Sequence, residues 1–276
     1  MRMPKLSVAY SINDDVGRNV ANLLASINKS VSTSYCQKAL SCYSINGTLI
    51  GGFEEDTINF DFLDKTPDEK SDIIIVISKH QSTSNMKTLS LHHTGNPSPQ
   101  APFGGRPMEL SYTIPAVSKA VFKIYYKHAI NLLDYNFTLE ATHHGPTSLL
   151  KPLLFIEIGS TKDEWNDRDA VRALGETIRE VLGLEWIEDC IPSVGFGSTH
   201  YPAKFTRIEL EEKYCFGHII SKYYIDYLNR DIIVQAIEKS IPRAEVAFIE
   251  KKGVRSQLRR KIELILNELG LEVRYV

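Results

Sequence analysis

Apolar and polar positions follow two different patterns in the first third of the chain. Residues 73–77 form an unbroken β-branched run, which predicts a strand buried on both faces, and the run ends in a polar cluster that contains His80. Residues 88–94 alternate instead, so His92 faces the polar side of a second strand and His93 the packed side. We therefore expect His80 and His92 to approach each other near the ends of these strands.

Strand and helix patterns follow one another at both ends of the chain. Residues 6–11 predict a strand that leads into a helix capped by residues 13–15, and residues 244–276 predict a strand, a helix and a strand. Such alternation is typical of the α/β class, so we expect a three-layer α/β/α fold around a mostly parallel or mixed central sheet. Because no internal repeat or low-complexity linker interrupts the pattern, residues 1–276 are predicted to form a single domain.

Two further predicted strands carry side chains that can take part in catalysis or bind a metal. Residues 137–142 alternate and lead into His143-His144, and residues 153–158 form an apolar strand interrupted by Glu157. A carboxylate in such a strand needs a partner, because burying an unpaired charge is costly. We therefore expect Glu157 to lie at a functional site near the carboxyl end of its strand, where open α/β sheets bind their ligands.

Three other segments are assigned from their composition and periodicity. Residues 96–106 are too rich in proline and glycine for regular structure and too long for a simple connection, which predicts a binding loop. Residues 191–206, which include His200, are interpreted as a second binding loop. Residues 210–228 predict a helix that carries His218.

The composition narrows the class of protein. The chain has 276 residues, of which 43% are hydrophobic and 24% charged, and its formal charge of -2 excludes a generally basic nucleic-acid-binding protein. No run of about 18 apolar residues occurs, so we expect no membrane association and a cytoplasmic location. The four cysteines lack framework or metal-site spacing, which predicts reduced thiols. They are Cys36, Cys42, Cys190 and Cys215.

Histidines at strand ends and in loops, together with Glu157, offer the nitrogen and oxygen ligands that suit zinc. A catalytic zinc takes about three protein ligands and a water, so these residues predict one or two zinc ions per chain. For each histidine the alternative is an ordinary hydrogen-bonded residue, and for His128, on the inner stripe of a helix, packing is favoured. The candidate metal ligands are His80, His92, His143, His144, Glu157 and His200, and the candidate catalytic groups are His80, His143, His144 and Glu157.

Basic residues and tight turns next to these segments are candidates for substrate binding. A cluster between Lys251 and Arg260 is either a solvated helix face or a patch that contacts phosphates. The pair Gly104-Gly105 favours a turn over a phosphate-binding loop. The candidate substrate-binding residues are Lys79, Thr94, Gly95, Asn96, Gly104, Gly105, Arg106, Lys204, Arg207, Lys251 and Lys252.

Several short segments together point to a known family. They are SKH at residues 78–80, LHHTGN at 91–96, EATHHGPT at 140–147, FIEIGST at 155–161, then His200-Tyr201, Gly217-His218 and Lys251-Lys252-Gly253. This set resembles the archaeal and plant type of D-aminoacyl-tRNA deacylase, also called D-tyrosyl-tRNA deacylase. The resemblance implies a phosphorylase/hydrolase-like α/β fold, a zinc requirement, and hydrolysis of the ester that joins a D-amino acid to the 3′ end of tRNA.

Two other functions remain open at this point. A zinc-dependent amidase or aminopeptidase needs the same chemical groups, because ester and amide hydrolysis proceed alike. A non-catalytic protein that binds the end of tRNA would show salt-sensitive binding without a product or a metal. In each case we expect a monomer.

Overall fold

The computed structural model describes residues 1–27 and 30–276 and confirms the α/β class. The strands are β1 (Leu6–Ser11), β2 (Val31–Ser32), β3 (Ser41–Ile45), β4 (Thr48–Phe53), β5 (Ile73–Gln81), β6 (Thr88–His92), β7 (Gly95–Asn96), β8 (Glu109–Leu110), β9 (Asn136–Leu139), β10 (Leu153–Ser160), β11 (Ile191–Ser198), β12 (Tyr214–Ser221), β13 (Val246–Ile249) and β14 (Glu272–Tyr275). The helices are α1 (Asp15–Ile27), α2 (Pro115–Ala129), α3 (Lys162–Trp165), α4 (Arg168–Val181), α5 (Ala203–Glu211), α6 (Arg230–Glu238) and α7 (Ser256–Glu268), with 3-10 turns at Thr57–Asn59, Ile225–Tyr227 and Lys251–Gly253.

The strands form two main sheets. The larger has eight strands in the order β2-β3-β4-β1-β5-β10-β6-β9 and is mixed, because β3 runs antiparallel to its neighbours and β10 pairs antiparallel with β6. The smaller is parallel and has the order β12-β11-β13-β14. The expected mixed sheet is therefore present, and a second sheet accompanies it.

The middle of the large sheet is its most deeply buried part. Side chains 73–77 of β5 have no exposed surface, and all of β10 is buried, as expected for strands covered on both faces. Helices α1, α2 and α4 pack together over one face. Phe60, Leu63 and Leu149 cover the other face. The small sheet lies between α2 and α5 on one side and α6 and α7 on the other.

The segment after β9 joins the two sheets. Ala141 N donates to His200 O at 2.8 Å, and Thr142 N donates to Ile219 O at 2.8 Å, so residues 140–142 leave the large sheet and run along the small one. We call residues 140–142 the seam. Because the carboxyl ends of β5 and β11 both lie beside the seam, side chains from the two sheets can meet there.

Two predictions for the second half of the chain are wrong. Residues 210–228 are not one helix, because β12 runs through the middle of this segment and places His218 in the core. A short buried apolar run has no periodicity that separates strand from helix, which explains the error. Residues 191–206 are not one loop either, because β11 takes up residues 191–198 and leaves a short loop that contains His200.

The prediction of reduced thiols is also wrong. Cys36 forms a disulfide with Cys42, and Cys190 forms one with Cys215. The second bond follows from the register of the small sheet, in which Pro192 of β11 lies opposite Cys215 of β12. Spacing along the chain gave no sign of that pairing.

As to membranes, none of the helices in the described ranges is both long enough and apolar enough to cross a bilayer.

Candidate active site

A cavity of about 830 Å³ opens beside the seam. Its walls come from residues at and just after the end of β1, from residues 56–58, from the end of β5 with Ser82, Thr83 and Asn85 just after it, and from Phe103. The remaining lining residues are His143, His144, Glu157 and His200. The cavity therefore lies at the carboxyl ends of parallel strands, the usual place for ligands in α/β sheets.

Strand register puts the functional side chains on one face of the large sheet. Phe155 of β10 lies opposite His92 of β6, and Glu157 lies opposite Ser78 of β5. Because strand residues two apart share a face, His80, His92 and Glu157 point to the same side. This confirms the expected approach of His80 and His92 to a common region.

Two buried carboxylates hold the imidazoles together. Glu140 and Glu157 are each only 2% exposed. His80 Nδ1 lies 3.2 Å from Glu140 Oε1 and 3.3 Å from Glu157 Oε2, so this ring bridges the two acids. His200 Nε2 lies 2.9 Å from Glu140 Oε2, and His92 Nε2 lies 3.6 Å from Glu157 Oε2.

The acids and His80 shift one another's pKa values in opposite directions. Burial alone would raise the pKa of Glu140 and Glu157, but the neighbouring imidazoles outweigh it and hold both pKa values below their usual range. For His80 burial lowers the pKa, but Glu140 and Glu157 outweigh it and raise the pKa to about 9. The two acids are therefore ionised at neutral pH, and His80 carries a proton between them.

Three histidines have one ring nitrogen tied to the backbone. His92 Nδ1 lies 3.3 Å from His93 O, His143 Nδ1 lies 2.8 Å from Ala141 O, and His144 Nδ1 lies 2.6 Å from Gly145 O. Because a carbonyl only accepts, each Nδ1 must donate, and the free lone pair is on Nε2. Metal-binding histidines are commonly fixed in this way by a backbone carbonyl.

The pKa values of this trio differ. Burial and the nearby His92 lower the pKa of His143 well below its usual range and that of His144 to about 4. Burial also lowers the pKa of His92, but Glu157 and Glu140 outweigh it, so the net direction is upward. Positive charge is thus favoured at His92 Nε2, whether a proton or a metal ion supplies it.

Unpaired polar atoms at the centre of the cluster fit a cation. His92 Nε2 and both carboxylate oxygens of Glu140 are buried without a hydrogen bond of good geometry to any described residue. Such groups are costly unless something satisfies them. Within residues 1–27 and 30–276, potential ligand atoms within 4.8 Å of one another occur in three groups, namely His92-His143-His144, His80-Glu140-His200 and His92-Glu140-Glu157.

The loop that carries His143 and His144 is held from two sides. Gly95 N donates to His144 O at 2.8 Å, and Gly145 N donates to Phe103 O at 3.0 Å. His144 has a φ of 43°, which is uncommon for a residue with a side chain and is often found at functional sites. The predicted binding loop at 96–106 therefore braces the histidine pair.

A family model described as D-aminoacyl-tRNA deacylase matches residues 67–274. The chain belongs to the D-aminoacyl-tRNA deacylase family. Relatives named D-aminoacyl-tRNA deacylase are 40% identical in Aeropyrum pernix, over 99% of this chain and 100% of the relative, and 38% identical in Staphylothermus marinus, over 98% of each. A crystal structure described as a conserved protein of unknown function, AF0625, has a TM-score of 0.90 and 29% identity, over 100% of this chain and 96% of that one.

In this member of the deacylase family, most of the candidate loop residues do not line the cavity and instead hold the surrounding loops in place by hydrogen bonds. Thr94 Oγ1 donates to Pro146 O, and Asn96 Nδ2 donates to Gly104 O at 2.9 Å. Arg106 N donates to Thr147 Oγ1 at 2.8 Å. These residues, together with Gly95 and Gly105, shape the loop, and the cavity itself is lined by their neighbour Phe103.

The candidate basic residues divide into two groups. Lys79 lines the cavity, with Nζ 5.1 Å from the centre of the Trp165 ring. The others do not line it. Arg106 Nη1 is 3.7 Å from a Glu109 oxygen, Lys204 Nζ on α5 is 3.5 Å from a Glu250 oxygen, and Lys251 Nζ in the 3-10 turn after β13 is 5.0 Å above the Tyr275 ring. Arg207 and Lys252 are exposed.

Three residues of the site were missed at the sequence level. Glu140 shares the polar face of an alternating strand with Thr138 and Thr142, a position where a carboxylate usually faces solvent, so the pattern did not mark it as buried. Asp14 was interpreted only as a helix cap, which it is for Gly17 N at 2.9 Å, but it also accepts from Lys79 N at 2.9 Å beside the cavity. Tyr201 OH lies 2.9 Å from His80 Nε2.

The remaining histidines are outside the site. His93 Nδ1 lies 2.8 Å from Leu153 O and Nε2 lies 2.8 Å from Ser118 Oγ, which confirms its packed position. His218 is likewise buried, between Thr142 and Ser111. His128 is partly buried, and its Nε2 lies 2.8 Å from Glu180 Oε2 on α4, which agrees with the expected packing role.

Proposed function

We propose that this cavity is the active site in which the enzyme hydrolyses the ester between a D-amino acid and tRNA, releasing the free D-amino acid and free tRNA. The observation that carries the proposal is the meeting of five imidazoles and two buried carboxylates at the floor of an open cavity, in a member of the deacylase family. Such an arrangement can bind an ester carbonyl, deprotonate a water and protonate a leaving oxygen.

We propose zinc as the cofactor, with one or two ions per chain. His92, His143 and His144 fit one ion best, since each presents a free Nε2 and is oriented through Nδ1. The group formed by His80, Glu140 and His200 offers a second set of ligands, and Glu157 lies within reach of both groups. When bound, zinc lowers the pKa of a water towards about 7 and polarises a carbonyl.

The chain's own residues carry the proton transfers. Glu157, held ionised by its imidazole neighbours, accepts a proton from the attacking water. With zinc held by His92, His143 and His144 alone, His80 would stay protonated between the two acids and donate a proton to the ribose oxygen as the ester bond breaks, while Tyr201 holds its other nitrogen. Glu157 then passes its proton to His80 Nδ1, 3.3 Å away, so each turnover adds the elements of water across the ester and returns both groups to their starting states.

Discrimination between D and L substrates is assigned to the shape of the cavity. An aminoacyl ester is already reactive, so selectivity matters more here than rate. The loop formed by residues 95–106 is braced against the histidine pair and provides a rigid wall, against which an L substrate would present its carbonyl out of line with the water. Lys79 lines the cavity at the end of β5 and is assigned to the sugar or phosphate next to the ester.

The basic residues outside the cavity are assigned to the tRNA backbone. Lys204, Arg207, Lys251 and Lys252 follow or flank the strands whose carboxyl ends border the seam. They offer positive charge to phosphates without reading bases. Since every group of the proposed site comes from one chain, we propose a single domain and a monomer, and the tRNA substrate favours the cytoplasm.

The proposal is tested by incubating the purified enzyme with D-tyrosyl-tRNA and L-tyrosyl-tRNA, before and after chelation, with zinc content measured on the same samples. We expect hydrolysis of the D form alone, lost on chelation and restored by zinc. Hydrolysis of D-aminoacyl peptides in preference to charged tRNA would instead support an aminopeptidase. Tight, salt-sensitive binding without product would support a non-catalytic tRNA-end binding protein.

A further inference from the structure

Phe103 forms the apolar corner of an otherwise polar cavity. Its side chain is 65% exposed, and Ile58 is the other apolar residue among the described residues that line the cavity. The two are neighbours, because a Cβ on Gly104 would collide with the backbone oxygen of Ile58. A flat apolar ligand group entering this cavity therefore has one place to pack.

The backbone around Phe103 is fixed. Phe103 O accepts from Gly145 N at 3.0 Å, and Asn96 Nδ2 donates to Gly104 O at 2.9 Å. Gly104 and Gly105 have φ values of 74° and 73°, which residues with a side chain rarely adopt. A ring presented by such a loop gives contact area at a small cost in conformational entropy, because only two side-chain torsions remain free.

The order of groups in the substrate determines what reaches this ring. The body of a tRNA is too large to enter the cavity, so the amino acid must go deepest, towards Glu157 and the histidines, and the nucleotide must follow on the outer side. The ester and the terminal adenine are attached to the same ribose. The backbone oxygen of Phe103 accepts from Gly145 N, directly after His144, so the Phe103 backbone lies next to the reacting end. Its side chain lines the same cavity as His144 and is 65% exposed, which leaves the ring accessible to the nucleotide.

We propose that Phe103 stacks on the terminal adenine of the tRNA and thereby sets the distance between the ribose ester and the histidine cluster. The proposal rests on the proposed function and adds a binding role that it does not contain. Adenine suits a rigid ring because it is the same in every charged tRNA, whereas the amino acid varies. Stacking of a base on an aromatic side chain corresponds to about a 10- to 100-fold change in affinity.

The test compares Phe103→Ala, Phe103→Leu and Phe103→Trp on two substrates with the same D-amino acid, the charged tRNA and the methyl ester. Phe103→Ala should raise KM for D-tyrosyl-tRNA by about 10- to 100-fold. Phe103→Trp should retain most of the affinity, and Phe103→Leu should behave like the alanine variant. The loss should be at least about ten times smaller on the methyl ester, which has no adenine, and it should be the same for D-alanyl-tRNA.

Leu133→Ala, at a position 90% exposed just beyond α2, is the matched control and should behave like the wild type. Equal losses on tRNA and methyl ester, or a loss that depends on the size of the amino acid, would overturn the adenine assignment. So would a Phe103→Ala enzyme with an unchanged KM. A wild-type enzyme that hydrolyses neither D ester would instead overturn the proposed function itself, and these outcomes can be told apart in one set of assays.

Discussion

His200 Nε2 lies 2.9 Å from Glu140 Oε2, and this contact joins the loop after β11 of the small sheet to the seam that leaves the large one. Glu140 also lies 3.2 Å from His80 Nδ1, so one buried carboxylate links imidazoles from both sheets. Glu140 thus connects the groups of the site, although it lies on neither β5 nor β10, the strands that carry His80 and Glu157.

Removing the charge of Glu140 tests that connection. Glu140→Gln keeps the shape of the side chain but leaves His80 and His200 without their shared anion, so kcat/KM and zinc affinity should each fall about 10- to 100-fold. The exposed Glu54→Gln is the control. Wild-type zinc content and kcat/KM in the Glu140→Gln enzyme would show that Glu140 has only a structural role.

Buried neutral histidines predict an acid-sensitive fold. Burial lowers the pKa of His218 to about 3 and of His93 to about 4. Because both folded-state pKa values lie below the ordinary value of about 6.5, the unfolded chain binds more protons than the folded chain in this range. The stability that the two neutral rings contribute is therefore complete above about pH 6.5 and is lost as the pH falls from there towards their folded-state pKa values.

The slope of unfolding free energy against pH measures this effect. Between about pH 6 and pH 4.5 each histidine contributes up to about 1.4 kcal/mol per pH unit, and His218→Asn should reduce the slope by about that amount in urea titrations. His93→Asn should act in the same direction over a slightly narrower range. An unchanged slope in both variants would mean that these rings accept protons without cost in the folded state.

The disulfide between Cys190 and Cys215 closes a loop with a sequence separation of 25. Replacing both cysteines with alanine should lower the free energy of unfolding by about 3 kcal/mol, chiefly because the unfolded chain becomes less restricted. Reducing the wild type, which also opens the bond between Cys36 and Cys42, should have at least as large an effect. Equal stability of the oxidised, reduced and double-alanine proteins would contradict this.

Charge outside the cavity should affect binding more than chemistry. Lys251→Glu with Lys252→Glu should raise KM for charged tRNA, and should reduce the slope of log KM against log salt by about 1 to 2. Lys70→Glu, before the amino end of β5 and thus at the opposite edge of the large sheet, should keep the wild-type slope. A loss of kcat at unchanged KM would place the two lysines in another role.

Local patterns predicted the elements that carry the site, but not all of its contacts. The boundaries of β1 are as expected, and the alternation around His92 and His93 gave their opposite faces, since both depend on neighbours in sequence. The contact between Glu140 and His200 and the bond between Cys190 and Cys215 depend on how two sheets meet. His218 was assigned to a helix because a short buried strand lacks a distinguishing period.

The most direct test of the account is single-turnover hydrolysis of D-tyrosyl-tRNA by His143→Ala and His144→Ala, with zinc content measured on the same preparations. Each variant removes one free Nε2 from the trio, so we expect at least one of them to lose turnover and zinc together while circular dichroism remains unchanged. Two variants with wild-type rates and wild-type zinc would contradict the assignment of this cluster as the catalytic centre.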